Sequence, residues 1–276
     1  MLTIAYDGTA YCGWQIQPDG PTVQQCVETA INELTGEQTR VLVAGRTDAG
    51  VHALGQVACF ETHSKIEAGQ FRRGLQRFLP DDVVIVAAQD VAPWFHATFS
   101  AVRKTYQYLI YDGPVMPPFL QNRVCRWRTA LDVEAMKAAL PALLGTHDFR
   151  CFETNYPNKS TSVRTIEQVS LERCRHWPIW NATHDWQPSD PRVHEDPTAP
   201  IIRLEITADG FLYNMVRAIV GSLIRVGTKR QPPEYLADVI ASMDRARAGS
   251  TAPPSGLYLQ SVEYPPDHLQ PPEGNS

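Results

Sequence analysis

Short runs of alternating apolar and polar residues dominate the first half of the chain and predict strands. Leu2-Thr3-Ile4-Ala5-Tyr6 has the two-residue period of a strand. Thr22, with Gln25 three residues later, forms a capping-box pair before an apolar stripe that ends at Gly36, which predicts a helix. Further strands are expected at 41–44, 57–60, 82–88 and 102–111, and a second helix at 64–79. The uninterrupted valines and isoleucine at 83–86 predict four buried side chains.

The second half repeats this order of elements more loosely. A helix is predicted at 132–144, strands at 164–172 and 201–208, helices at 213–226 and 233–243, and a closing strand at 256–262. Several predicted strands are close enough in sequence to be antiparallel neighbours. The pattern therefore favours an α+β fold with a mixed or antiparallel sheet over a doubly wound parallel sheet. Residues 175–200 have no periodicity and are interpreted as an inserted loop.

Composition sets broad limits on the class of protein. A chain of 276 residues that is 43% hydrophobic and 20% charged can form one large domain or two smaller ones that pack together. The sequence has no apolar run of about 18 residues and no signal-peptide pattern at its start, so we expect a cytoplasmic protein without a membrane span. The six cysteines lack metal-binding or disulfide spacing and are expected to be reduced.

The net charge of −5 conceals local clusters of basic residues. Residues 101–130 contain five basic side chains and one acidic side chain, and residues 201–230 contain five basic and two acidic ones. A third cluster is Arg72, Arg73 and Arg77. Two interpretations remain open, namely solvated helix faces with scattered charges or a surface that binds nucleic acid.

The strongest candidate for chemistry is Asp48, in a loop bracketed by Gly45 and Gly50. Both glycines allow backbone angles that other residues avoid, so the loop could approach a ligand and present Arg46 beside Asp48. An ordinary turn between two strands explains the short polar residues equally well. The spacing alone leaves both interpretations open.

Several motifs, taken in order, resemble the TruA family of tRNA pseudouridine synthases over almost the whole chain. They are Tyr6-Asp7-Gly8-Thr9, Gly45-Arg46-Thr47-Asp48-Ala49-Gly50-Val51-His52, Arg103-Lys104-Thr105-Tyr106-Gln107-Tyr108, Phe211-Leu212-Tyr213-Asn214-Met215-Val216-Arg217 and Gly256-Leu257-Tyr258-Leu259. The resemblance implies the pseudouridine synthase fold, in which two ferredoxin/RRM-like halves form one mostly antiparallel sheet, with helices on one side and an RNA-binding cleft on the other. We expect halves at 1–102 and 103–264, the latter with an insertion at about 175–200, and a flexible tail at 265–276.

The same resemblance implies an isomerase that converts uridine to pseudouridine in the anticodon arm, at tRNA positions 38, 39 and 40. The reaction breaks the N1 to C1′ bond, turns the uracil, joins C5 to C1′ and loses the C5 proton. It needs a carboxylate, by position Asp48, and no cofactor or metal. Attack on C1′, attack on C6 and removal of the 2′ proton all remain open for this residue. The expected partners are tRNA and a second copy of the chain in a homodimer.

Further roles follow from the resemblance, residue by residue. Arg217 is expected to pair with the catalytic aspartate, and Arg46 to occupy the space left when the target nucleotide flips out. Tyr106 is expected to stack on the uracil and Leu257 to pack near it. The residues expected to contact the tRNA backbone are Arg72, Arg73, Arg77, Arg103, Lys104, Arg123, Arg126 and Arg128.

Histidines at 52 and 96 are not assigned to catalysis. We expect His52 and His96 to shape their loops or to bond to backbone.

Two other classes of function stay open from the residues alone. One is an RNA-binding module of the same fold without activity, and the other is a hydrolase with Asp48 as nucleophile. The hydrolase would need a metal or a second carboxylate, and the sequence has neither at a useful spacing. Two features depart from the family pattern, the insertion at about 175–200 and the low overall charge, which predicts tRNA binding that weakens steeply with salt.

Overall fold

A computed structural model of the chain describes residues 1–154, 161–175 and 199–270. The chain divides into two compact units, one formed by residues 1–104 and 258–276 and the other by residues 105–257. The boundary between the units after residue 104 lies two residues beyond the boundary expected after residue 102. The first unit also takes in the chain from Tyr258, whereas the sequence prediction had kept residues up to 264 in the second half. Most of the expected insertion, 176–198, and the end of the expected tail, 271–276, lie outside the described residues.

Ten strands and five α-helices are present in the described ranges. The strands are β1 Leu2–Tyr6, β2 Leu42–Val43, β3 His52–Cys59, β4 Val83–Ala88, β5 Arg103–Tyr111, β6 Cys125–Arg126, β7 Gly145–Asp148, β8 Val163–Cys174, β9 Ile201–Ala208 and β10 Leu257–Glu263. The α-helices are α1 Val23–Thr35, α2 Ala68–Gln76, α3 Val133–Ala139, α4 Met215–Gly227 and α5 Tyr235–Ser242. In these ranges no helix is both long enough and apolar enough to cross a membrane.

In the first unit the strands lie in the order β4-β1-β3-β10, and β2 pairs with β3. Strand β1 is antiparallel to both β3 and β4, β2 is antiparallel to β3, and β10 is parallel to β3. In the second unit the order is β5-β9-β8-β7, with β6 parallel to β5 and with β8 antiparallel to β7 and β9. The prediction of an α+β fold with mixed, largely antiparallel pairing is confirmed.

Helix boundaries follow local chemistry where the prediction differs. Helix α1 begins after Thr22 and ends at Gly36, as predicted; the Thr22 hydroxyl accepts the Gln25 N–H, and Gly36 adopts the left-handed conformation. The helix predicted at 64–79 is only α2, because the Thr62 and Ser64 hydroxyls accept backbone N–H groups two residues ahead, which competes with helix formation. Of the helix predicted at 132–144, only α3 is α-helical, and Leu140–Leu143 form a 3₁₀ turn. The α-helix does not continue because Pro141 has no N–H to donate.

Two strand predictions are corrected. Val83 and Ile85 are buried, but Val84 and Val86 are 42% and 41% exposed, so the expectation of four buried side chains is wrong. A run of β-branched residues does not reveal whether one or both faces of its strand will be covered. Strand β3 begins at His52, five residues before the predicted start at residue 57. The sequence did not predict its first half because that half lacks apolar alternation, although His52 and Gln56 are buried.

A buried ion pair connects four segments of the second unit. Arg173 at the end of β8 donates two hydrogen bonds to the Asp112 carboxylate, at 2.9 and 2.7 Å. The Leu131 N–H also donates to that carboxylate, and the Arg173 guanidinium donates to the Leu131 and Ala199 carbonyls. The two side chains are only 3% and 12% exposed, for Asp112 and Arg173 respectively.

We predict that Asp112→Ala lowers the free energy of unfolding of this unit by about 3–5 kcal/mol, because Arg173 would be left buried without its counter-ion. Glu134→Ala is the control in the same unit, since Glu134 pairs with Lys137 at 3.2 Å and its side chain is 81% exposed. That variant should lose less than about 1 kcal/mol. Urea unfolding of both variants checks the difference, and equal losses would contradict it.

Candidate active site

The Asp48 loop connects β2 to β3 in the first unit. Arg46 is exposed and Asp48 is half-buried, whereas Thr47 between them is 6% exposed. The loop therefore presents a guanidinium and a carboxylate on either side of a buried threonine.

Hydrogen bonds from the segment after β1 hold this loop. The Thr47 hydroxyl and the Tyr6 hydroxyl are 2.7 Å apart. The Trp14 N–H donates to the Thr47 carbonyl at 3.0 Å, and the Gly50 N–H donates to the Tyr11 carbonyl at 3.3 Å. The backbone on both sides of Asp48 is thus bonded to residues 6–14.

The entry to the loop is held by two further side chains. Gln56 donates its amide N–H to the Gly45 carbonyl at 2.7 Å, and the Lys104 ammonium donates to the Ala44 carbonyl at 2.6 Å. Lys104 was expected to contact the tRNA backbone, and the structure gives it this intramolecular bond.

The glycines have different roles from those expected. Val51 donates to the Asp48 carbonyl at 3.1 Å across a turn in which Gly50 has φ +75°, so the prediction of a special backbone angle holds for Gly50. It is wrong for Gly45, which is absent from the positive-φ glycines of the described chain. Gly13, with φ +96°, makes the close approach, since a Cβ there would lie 2.6 Å from the Thr47 carbonyl oxygen.

A histidine and an aspartate lie at the end of the loop. His52 is 2% exposed and stacks on Tyr258 with ring centroids 4.6 Å apart. Its Nδ1 lies 3.0 Å from the Gly8 nitrogen and 3.1 Å from the Asp7 carboxylate, so this nitrogen donates to Asp7 when it carries a hydrogen and accepts from the Gly8 N–H when it does not. The expected bonding of His52 to backbone is present, and His96 likewise accepts from two backbone N–H groups.

Three candidate residues belong to the second unit. Tyr106 on β5 is 8% exposed and packs edge-on against Phe211, with ring centroids 5.0 Å apart. Arg217 in the first turn of α4 donates to the Ala252 carbonyl and to the Asn214 side chain, both at 2.7 Å. Leu257, at the start of β10, is buried.

The structure separates the basic candidates by their intramolecular bonds. Arg72, Arg73, Arg77, Arg123 and Arg128 are exposed, and of these Arg123 donates to the Gln121 carbonyl at 3.5 Å. Arg103 pairs with Glu263. Arg126 donates to the Gly113 and Pro114 carbonyls and lies over the Tyr111 ring, which leaves its guanidinium less available to a phosphate.

Three residues that hold the loop were missed or misread from the sequence. Tyr6 and Gln56 received no role, and Lys104 received only a tRNA contact. The Tyr6-Asp7-Gly8-Thr9 motif was the available signal for Tyr6, but no local pattern indicates which side chains outside the loop will bond to it. Across the described ranges, no three His, Cys, Asp or Glu side chains are grouped so as to hold a metal ion.

Comparison with known proteins identifies the class. A family model described as tRNA pseudouridine synthase matches residues 2–100 and 139–265. The chain therefore belongs to the tRNA pseudouridine synthase family, whose members are isomerases. The resemblance inferred from the sequence motifs is confirmed.

Individual relatives match along nearly their whole length. The tRNA pseudouridine synthase A of Acetivibrio thermocellus is 45% identical over 263 residues, covering 95% of this chain and 98% of the relative. The tRNA pseudouridine synthase A 2 of Clostridium perfringens is 42% identical over 263 residues, with the same coverage. The tRNA pseudouridine synthase A of Burkholderia cenocepacia is 39% identical over 271 residues, covering 98% of this chain and 92% of the relative.

The Asp7 carboxylate yields a prediction about acid stability. The hydrogen bond from His52, followed by bonds from Thr9, holds the pKa of Asp7 well below its ordinary value of 3.8. The folded state therefore binds this proton less readily than the unfolded chain, so Asp7 stabilises the fold fully above about pH 4 and loses this contribution at lower pH.

We expect Asp7→Asn to lower stability at pH 7 by about 1 kcal/mol, with a gap to the native protein that narrows as the pH falls below about 4. Thermal unfolding midpoints of both proteins from pH 7 to pH 3 test this. A gap that stays constant with pH would contradict the assignment.

Proposed function

We propose that this protein converts uridine to pseudouridine in the anticodon arm of tRNA, at tRNA positions 38, 39 and 40, with Asp48 as the reacting carboxylate and without a cofactor. The observation that carries the proposal is the Asp48 loop. Its backbone is held by hydrogen bonds at 44, 45, 47 and 50, while Asp48 itself stays half-buried and Arg46 exposed. Membership of the tRNA pseudouridine synthase family supports tRNA as the substrate.

A fixed loop suits this reaction. Uridine and pseudouridine are isomers, so the enzyme must position one base, break the N1 to C1′ bond, keep the freed uracil in place and join C5 to C1′. Positioning and preorganised charge lower such a barrier because the groups do not have to be ordered during the reaction. Asp48 could attack C1′, attack C6 or remove the 2′ proton, and the same held loop serves each route.

The remaining site residues receive the roles that the family resemblance implies. We assign Arg46 to the space vacated by the flipped nucleotide, since its planar guanidinium is exposed and can stack and donate several hydrogen bonds. Tyr106 supplies an aromatic face for the uracil, Leu257 an apolar contact, and Arg217 positive charge for the reacting carboxylate. The tightly bonded Arg217 side chain is suited to a fixed electrostatic role.

The decisive test is release of tritium from tRNA labelled at uracil C5, because this proton is lost only when C5 has bonded to C1′. We expect Asp48→Asn to lower release by roughly a thousandfold or more while tRNA binding is retained. Asp81→Asn is the matched control, since it removes an exposed carboxylate of the same unit and should leave release unchanged.

Two further results would contradict parts of the proposal. A native protein that binds tRNA but releases no tritium would be an RNA-binding module without activity. Equal release from a tRNA carrying cytidine at positions 38, 39 and 40 would refute the anticodon-arm assignment.

We further propose that the protein acts in the cytoplasm as a homodimer with an RNA-binding cleft in each subunit. All six cysteines are free, which suits a reducing compartment. The exposed basic residues Arg72, Arg73, Arg77, Arg123 and Arg128 are too few in one copy to hold a whole tRNA, and we divide them between tRNA contact and the dimer interface.

Light scattering coupled to gel filtration tests the assembly. We expect a mass of about twice 30.8 kDa at micromolar concentration. A monomer under these conditions would refute the homodimer.

A further inference from the structure

We propose that Tyr6 is a positioning residue for Asp48: its buried hydroxyl holds Thr47, and Thr47 sets the place of the neighbouring carboxylate. This inference rests on the proposed role of Asp48. Nothing in the motif resemblance gives Tyr6, Thr47 or Gln56 a part in the reaction.

The first step of the argument is the location of Thr47. Thr47 is buried, whereas Arg46 before it is exposed and Asp48 after it is half-buried. Neighbouring Cα atoms are about 3.8 Å apart across a rigid trans peptide, so a movement of Thr47 is transmitted directly to Asp48. The side chain that fixes Thr47 therefore fixes the carboxylate next to it.

The second step is that Tyr6 is itself buried and held by several contacts. It lies on β1, is 5% exposed, and packs against Trp14 with ring centroids 6.1 Å apart. The Gln56 amide donates to the Tyr6 hydroxyl at 3.4 Å and to the Gly45 carbonyl at 2.7 Å. Gln56 is fully buried, and its other amide atom accepts the Val57 N–H at 3.2 Å. One buried side chain thus bonds both Tyr6 and the loop two residues before Thr47.

The third step is the direction of the hydrogen bonds. Because Gln56 donates to the Tyr6 oxygen, the phenolic proton is available to the Thr47 hydroxyl oxygen, 2.7 Å away. Burial raises the pKa of Tyr6 to about 12, so the hydroxyl keeps its proton at every pH at which the enzyme would work. Tyr6 thus remains a hydrogen-bond donor and acts through Thr47.

A purely structural role for the same hydroxyl makes a different prediction. Removal of a buried hydroxyl partner always costs some stability, wherever the hydroxyl lies. Only a positioning role slows the chemical step while the affinity for tRNA is unchanged, because a misplaced carboxylate affects the transition state and not the bound tRNA.

The test is the single-turnover rate of tritium release at saturating enzyme, measured together with the dissociation constant for tRNA. Tyr6→Phe keeps the ring and removes only the hydroxyl. We expect the rate to fall about tenfold or more, and tRNA affinity to stay within about twofold.

Tyr264→Phe is the matched control in the same unit, since the Tyr264 hydroxyl donates to the Ala97 carbonyl at 2.7 Å and belongs to none of the bonds around the loop. It should retain the native rate. A rate for Tyr6→Phe equal to that of Tyr264→Phe would overturn the inference.

Two variants of Thr47 keep the inference testable if Tyr6→Phe does not fold. Thr47→Ser retains the hydroxyl and should retain most of the rate, whereas Thr47→Val replaces the hydroxyl with a methyl group and should match the loss in Tyr6→Phe. The double variant Tyr6→Phe/Thr47→Val should be no slower than the slower single variant, because both remove the same bond. Equal rates for Thr47→Ser and Thr47→Val would overturn the inference.

Asp48→Asn, measured in parallel, separates this inference from the proposed function. If Asp48→Asn is inactive while Tyr6→Phe and Thr47→Val are fully active, only the positioning role fails. If Asp48→Asn keeps the native rate, the proposed function fails, and the positioning role fails with it.

Discussion

The candidate site depends on the hydrogen bonds of one buried residue, Thr47. Its hydroxyl is hydrogen-bonded to the Tyr6 hydroxyl and its carbonyl accepts the Trp14 N–H, so β1 and the segment that follows it hold the loop in place. The carbonyl bond is possible only because Gly13 has no Cβ to strike that oxygen. Arg46 and Asp48 project from this fixed point, and the free energy that orders them is provided when the unit folds. In the proposed reaction, the tRNA substrate would therefore meet a carboxylate that is already in place.

Contacts within the second unit likewise fix the side chains that the proposed reaction uses. Arg217 is bonded to Ala252 and Asn214, and Tyr106 is packed against Phe211. Large buried aromatic rings and bonded guanidinium groups lose little further freedom on binding, which favours recognition of a flat base. The buried Asp112–Arg173 pair serves the unit differently, because it joins chain segments rather than presenting a group to a ligand.

Local charge counts overestimate what a surface offers to RNA. At least four of the eight basic residues predicted to contact the tRNA backbone have intramolecular partners, namely Arg103, Lys104, Arg123 and Arg126. A guanidinium that already donates to two carbonyls contributes its charge but few hydrogen bonds to a phosphate. The exposed residues Arg72, Arg73 and Arg77, on and beside α2, can offer a phosphate both their charge and their hydrogen bonds.

The sequence by itself determined the family, the order of most elements and the identity of the candidate residues, because these are written in local motifs and in the spacing of apolar positions. Strand β9 and the start and end of α1 were predicted within a residue. The local signal was weaker for β3, whose first half is buried without alternating in residue type, and for Val84 and Val86, whose exposure depends on what covers their face. Only the tertiary structure brought Tyr6, Gln56 and Lys104 to the Asp48 loop, because hydrogen bonds between residues 41, 11 and 60 positions apart leave no trace in the local pattern.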